Sequence, residues 1–411
     1  YVCCKIISII TSIYEKRRMK ITIYKIFDFI LICYIPIYAV FSQQAGPLAQ
    51  YMMDLGTVCF LISGIFLILQ RYKNVAIPYH FIWYMGFMGL IIGNSFITNT
   101  TIGIDISTLL RILSISFLIT VRILNEADVL SIIKKLALCG ISEVFFLLFA
   151  VSAASWKKAL LSGGRLGIGE IELNVCAFLL SCSVMSCIIV WNITRQRKWL
   201  GICLCEMPVL ILFQSRTGIF SLLIGIIFYF GITYGNNKIL VNNVLVVLVA
   251  IGIGTIFVAM ILKYTDYSLL RIFSYDDSIK YRLQIISASI DAWCERPIWG
   301  HGLSLIEDVM YQKMGYPFAS HNNIAGLAVG TGAAGVIYYY TFFAIIIIKE
   351  HFSNRKCKLE TATWTFLAMI IFSDLSCENY KILVSQIIIA ISIAMIVALR
   401  KFENKGVQKF R

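Results

Sequence analysis

The chain has 411 residues, 59% of them hydrophobic and 14% charged. A soluble domain typically carries about 45–50% apolar and about 25% charged residues, and a chain so poor in charge cannot clothe a core of this size. A soluble fold is excluded, and an all-α polytopic membrane protein is expected. The formal net charge of +14 is assigned to the membrane rather than to nucleic acid, because Lys and Arg collect in the cytoplasmic connections of multi-pass proteins.

Residues 1–25 are basic and read as a cytoplasmic N-terminal segment. Met19 opens Met-Lys-Ile-Thr-Ile-Tyr-Lys, a natural start, so 1–18 read as an upstream extension. The next apolar run is a full span and reads as an anchor, not a cleaved signal. A bilayer core of about 30 Å needs about 20 apolar residues per helix. Twelve runs qualify or nearly so: 26–43, 51–69, 79–98, 107–124, 131–152, 172–192, 199–213, 217–234, 239–262, 322–348, 360–376 and 382–400. The expected layout is nine helices over 26–262, a large extracytoplasmic loop over 263–321 with short helices in it, three helices over 322–400, and a cytoplasmic tail at 401–411. The run at 199–213 is short, and with 217–234 it also reads as one interrupted hairpin.

Charge sets the orientation. Most of the 36 Lys and Arg fall on alternate connections if both termini are inside, as cytoplasmic loops require. The long loop then faces out. Mid-span positions read as nearly charge-free, which favours an enzyme with its chemistry at one face over a flippase with a charge-lined lumen. The 13 Cys are scattered, most in apolar runs where a free thiol behaves as a small apolar group. Cys203 and Cys205 lack the further ligands of a zinc site. No disulfide framework, phosphate-binding loop, dinucleotide fingerprint or acidic metal pair is present, so no cofactor and no metal is expected. Glycosidase-like paired carboxylates are also missing; Asp276-Asp277 and Glu307-Asp308 read as solvated loop acids.

The polar residues that remain lie on the outer side. Arg216, in Ser215-Arg216-Thr217-Gly218, sits between two apolar runs; its planar fork suits a phosphate, although a snorkelling Arg would look the same. Arg165 lies in Gly163-Gly164-Arg165-Leu166-Gly167, nine residues before Asn174. Glycines there let backbone approach a ligand, and an ordinary loop is the plainer alternative. Arg282 falls where the loop turns into an amphipathic helix from Tyr281 to Trp293, with Ile285, Ile286, Ser289 and Trp293 near one face; by composition alone it is a solvated Arg. Of the four His, His80 and His351 sit at cytoplasmic helix ends, while His301 and His321 are external. A His near neutral pH is the natural base for a hydroxyl, but one at a helix start is more often a cap.

Taken together, these residues resemble a known family. Arg282…Trp293…Arg296-Pro297-Ile298-Trp299-Gly300-His301-Gly302, then His321-Asn322-Asn323, then Gly332-Ala333-Ala334-Gly335, look like the signature of the O-antigen ligase/polymerase superfamily. Gln214-Ser215-Arg216-Thr217-Gly218 resembles its second signature, and Arg165…Asn174 is similar to a weaker third. The resemblance covers about 160–345 and implies glycosyl transfer between undecaprenyl-diphosphate-linked glycans in the bacterial cytoplasmic membrane, without nucleotide or metal. It implies that Arg216 and Arg282, with Arg165, grip the donor diphosphate. His321 would take the acceptor hydroxyl proton, and His301, Asn322 and Asn174 would contact glycan or acceptor. His301 ranks below His321, because its position varies in the family. The favoured reading is a Wzy-type polymerase of O-antigen, capsule or exopolysaccharide units, with a chain-length regulator as a candidate partner; the alternatives are an O-antigen ligase acting on lipid A core, and a lipid-glycan flippase.

Overall fold

The computed structural model describes residues 23–42, 44, 46–71, 79–161, 164–167, 169–234, 277–315, 322–351 and 358–408. Every regular element among them is helical: α1 (Ile23–Phe41), α2 (Pro47–Arg71), α3 (Tyr79–Thr98), α4 (Ile106–Arg122), α5 (Glu126–Ala150), α6 (Ala153–Leu161), α7 (Leu173–Thr194), α8 (Lys198–Phe213), α9 (Arg216–Tyr234), α10 (Asp277–Glu295), α11 (Ile306–Met314), α12 (Asn323–His351), α13 (Lys358–Ser373) and α14 (Leu383–Gln408). The all-α polytopic class holds.

The count of spans is corrected. Among the described residues, seven helices are long and apolar enough to cross a membrane, or eight if α5 and α6, bent by 112°, form one broken span. Three of the twelve expected runs make helices of only 17, 16 and 16 residues: α4, α8 and α13. The apolar runs there, 107–124, 199–213 and 360–376, are themselves near or below the length of a span, and local chemistry sets one end of two of the helices. Asp105 caps the start of α4 by accepting from the Ser107 amide, which fixes where the helix begins. Gln214 ends α8 in the left-handed region at φ 48°, a conformation that stops a helix. The run at 239–262 lies outside the described residues.

The helix α7 is the hub, buried on almost every side against α5, α8, α9 and α13. Its sequence explains this. Ala177, Ser181, Cys182, Ser183, Ser186 and Cys187 are small and fully buried, and small residues let helices meet closely where lipid gives no hydrophobic drive. One bundle end is rich in basic groups. There the buried Arg122 makes a forked pair with Asp28, at 2.8 and 2.9 Å, and a third bond to Asp128. Arg195 and Lys358 sit over the rings of Trp191 and Tyr234. The opposite end collects the loops and the candidate residues.

The mid-spans, read as nearly charge-free, have two exceptions: Glu143 on α5 and Glu206 on α8 are both wholly buried among the helices. Each is the one acid in its apolar run, so neither much disturbs the average hydropathy from which spans are read.

Candidate functional site

Two of the sequence motifs meet through backbone rather than through side chains. Gly332 breaks α12 with φ 65° and ψ −162°, a region essentially closed to any residue but Gly. Broken helical backbone at membrane depth is tolerated only where other protein satisfies it, and the segment Pro297–Gly302 does so. The amides of His301 and Gly302 donate to the carbonyls of Val329 and Gly330 at 2.8 Å, and that of Ala333 returns to Pro297 O at 2.8 Å. The strands of this strap run so close that a Cβ on Gly300 would stand 2.6 Å from Val329 O. Trp293 Nε1 donates to Pro297 O at 2.9 Å and anchors the strap to the end of α10.

This places His301 inside the strap. Its Nε2 is 2.8 Å from the carbonyl of Ala292. A carbonyl only accepts, so Nε2 carries the proton and donates. The imidazole is thereby engaged in holding α10. Both ring nitrogens of His80, near the start of α3, are also engaged, with Ser116 and Gln386, and the residue is buried.

The remaining candidates converge at a different place. Leu166 N donates to Leu212 O at 3.0 Å and Arg165 Nε to Phe213 O at 3.2 Å, so the glycine loop docks on the C-terminus of α8. Carbonyls at a helix C-terminus lack intrahelical partners, which is why an Arg settles there. One residue further on, Ser215 donates to Asn174 Oδ1 at 2.9 Å. Arg216 then opens α9, half-buried. Gly218 brings α9 onto α7, where a Cβ would meet Ala177 Cβ at 2.7 Å. Arg165, Asn174 and Arg216 are thus gathered at one mouth, although more than 50 residues separate the first from the last.

The turn 374–377 joins this mouth to α12. Thr217 and Ser376 share a hydroxyl hydrogen bond of 2.7 Å, Asn322 Nδ2 donates to Leu375 O at 3.2 Å, and Asn323 N donates to Asp374 O at 2.8 Å. The side chain of Asp374 accepts from Tyr340 and Asn379 at 2.9 and 2.6 Å, and Asn323 Nδ2 donates to Tyr340 OH at 3.0 Å. Burial holds the Asp374 carboxyl up at about 7 against those two donors, which pull it down. Burial likewise pushes the Cys377 thiol up to about 12, the nearby Glu172 carboxylate adds to this, and the Arg282 guanidinium opposes it. The charge of half-buried Arg282 is therefore felt at the same turn. His321 lies outside the described residues; the asparagines that follow it are held as above.

An apolar cleft of about 500 Å³ opens beside this turn between α10 and α12, lined by Ile286, Ile290, Trp293, Asn322, Ala325 and Ile337, among others. The amphipathic reading of α10 holds: Ile285, Ala288, Ser289 and Ala292 form its buried stripe. The turn itself was missed from sequence: its signal was the polar stretch Ser373-Asp374-Leu375-Ser376-Cys377-Glu378-Asn379-Tyr380, the first part of which the expected run 360–376 took in. Among the described residues no group of three or more His, Cys, Asp or Glu could hold a metal ion.

Residues 201–340 match the family model described as O-Antigen ligase. The match supports the O-antigen ligase/polymerase superfamily and a ligase- or polymerase-type function for the chain. It takes in Arg216, Arg282, His301, His321 and Asn322, but not Arg165 or Asn174. No curated protein matches the chain, and no solved structure does.

Proposed function

We propose, with that family match as the premise, that this chain is a membrane glycosyltransferase that polymerises undecaprenyl-diphosphate-linked repeat units. What supports the site is that Arg165 docks on the end of α8, Arg216 opens α9 beside the Ser215–Asn174 contact, and Thr217 and Asn322 both bond the turn 374–377. Guanidinium groups suit a diphosphate, whose oxygens match the fork of Arg; Arg165 and Arg216 would supply two of them, and Arg282 a third. The cleft between α10 and α12 adds an apolar wall for a lipid-linked substrate.

In the proposed reaction the acceptor sugar oxygen attacks the anomeric carbon of the donor. The bond from that carbon to the diphosphate oxygen breaks, and its electron pair leaves with the lipid diphosphate. The acceptor proton passes to His321, the residue before Asn322. Fixed positive charge at the departing diphosphate stabilises the transition state more than the ground state, so no acid is needed to protonate the leaving group. This site would face outward from the cytoplasmic membrane, with both chain termini inside, since the opposite end is the basic one.

A ligase that hands the glycan to lipid A core is the second reading, and the family match is equally compatible with it. Complementation of a strain lacking this gene separates the two. Surface glycan is read as a size ladder for wild type, His321→Ala, Arg216→Ala and Arg282→Ala, with membrane levels of each compared. Single capped repeat units in the deletion strain mean a polymerase. Long chains left on the lipid carrier mean a ligase. Variants that restore the full ladder at normal levels refute the site.

A further inference from the structure

The buried carboxyls of Glu143 and Glu206 belong to no part of the proposed glycan chemistry. Both residues are 0% exposed, one on α5 and one on α8, on either side of the hub helix α7. Glu206 Oε1 accepts from Ser183 of α7 at 3.0 Å, and Ser183 in turn accepts from the Gly140 amide of α5 at 3.0 Å. Gly140 leaves the room for this: a Cβ there would lie 2.5 Å from both the Glu206 carboxyl carbon and Ser183 Oγ. Glu143 stands three residues beyond Gly140, on the same face of α5.

Both oxygens of Glu143 and Oε2 of Glu206 are buried without an N–H or O–H donor; the weakly donating Cys176 thiol faces Glu143. Among the described residues no Lys, Arg or His pairs with either carboxyl. The other titratable groups facing them are thiols: Cys139 on α5, Cys176, Cys182 and Cys187 on α7, and Cys203 on α8. An uncompensated carboxylate in such a place is far costlier than a neutral acid. Two of them side by side would also repel.

We propose that Glu143 and Glu206 form a proton-binding site inside the helix bundle, holding the pair as neutral carboxylic acids. The ligand is the proton itself. Protonation removes the charge that burial penalises and turns one oxygen of each carboxyl into a donor. The site ties α5 to α7 and α8, and α8 leads directly into the Gln214–Arg216 turn. It rests on burial and contacts within the bundle and is independent of the reaction proposed above.

Infrared spectroscopy of the full chain in lipid bilayers, in deuterated buffer near neutral pH, tests this directly. The wild-type spectrum is compared with those of Glu143→Gln and Glu206→Gln, whose amides keep the volume and neutrality of the acids. Each difference is expected to show the C=O stretch of a protonated carboxyl that is present in wild type and lost in the variant. A carboxylate stretch in its place overturns the proposal. If that band moves when sodium is replaced by choline, a metal cation holds the pair instead. Wild-type membranes treated with a hydrophobic carbodiimide, which adds to protonated acids, give a readout that needs no variant. Modification of the Glu143 or Glu206 peptide is expected by mass spectrometry, and absence of both the label and the acid band refutes the site.

Discussion

The strap at Pro297–Gly302 and the mouth at Arg165, Asn174 and Arg216 both answer to sequence motifs, yet the fold uses them in opposite ways. In the strap, glycines and carbonyls matter. Val329, Gly330 and Pro297 meet the loop through main-chain bonds, and Gly332 takes a backbone conformation that side chains cannot follow. Even the imidazole of His301 ends on a carbonyl. At the mouth, side chains matter: Arg165 covers a helix C-terminus, Ser215 reaches Asn174, and Arg216 opens α9 beside them. A motif made of Gly and Pro therefore marks where two backbones touch, and on the function proposed above a motif made of Arg and Asn would mark where a charged ligand is met.

This contrast is open to attack. The largest effect is expected at the mouth: Arg216→Ala should lower glycan transfer by on the order of 10²–10³-fold, as loss of one fixed transition-state partner does, with membrane level and thermal midpoint near wild type. An assay of transfer per folded molecule checks it, and an Arg216→Ala protein that unfolds instead would move Arg216 to the strap's class. Next, Gly332→Ala should act on the fold. Forcing a side chain into that backbone region costs about 1–3 kcal/mol, and Ile298 O lies in the way of the added methyl. The thermal midpoint in detergent should fall, with residual activity tracking the folded fraction.

Asp374 gives a pH-dependent test of intermediate size. Its folded carboxyl titrates near 7, above the ordinary 3.8, so the folded state binds this proton more tightly than the unfolded one. Its contribution to stability is complete below about 4 and is lost as pH rises through about 7. Thermal midpoints measured across that window should decline more steeply for wild type than for Asp374→Asn. Parallel slopes would remove Asp374 from the account. The smallest effect is expected for His301→Ala, which deletes one hydrogen bond worth about 1 kcal/mol. Its activity per folded molecule should stay within a few-fold of wild type, and a loss comparable with Arg216→Ala would make His301 chemical after all.

Much of the molecule was legible beforehand. Apolar runs gave the helices because a bilayer leaves the backbone few other ways to satisfy itself, and of the face read over Ile285, Ile286, Ser289 and Trp293 of α10, Ile285 and Ser289 are buried and the other two half-buried. The number of full spans was not legible. The runs 107–124, 199–213 and 360–376 made helices of 17, 16 and 16 residues, at the margin of what a bilayer core needs, and averaged hydropathy does not separate such a margin from a full span. Glu143 and Glu206 were hidden by the same averaging, since one carboxyl scarcely changes the mean of a window of about 19 residues.

The sequence by itself determined the membrane class, the helical content and the residue types able to meet a lipid diphosphate, because composition and period act over neighbours in the chain. Only the tertiary structure decided which of those residues stand together. Arg165, Asn174 and Arg216 are joined by α7, α8 and α9 folding back on one another, and the turn 374–377 enters from nearly 160 residues further along. Such a meeting is set by packing between distant helices, where close approach at Ala177 and Gly218 fixes the distances, and contacts of that range leave no periodic trace in a linear chain.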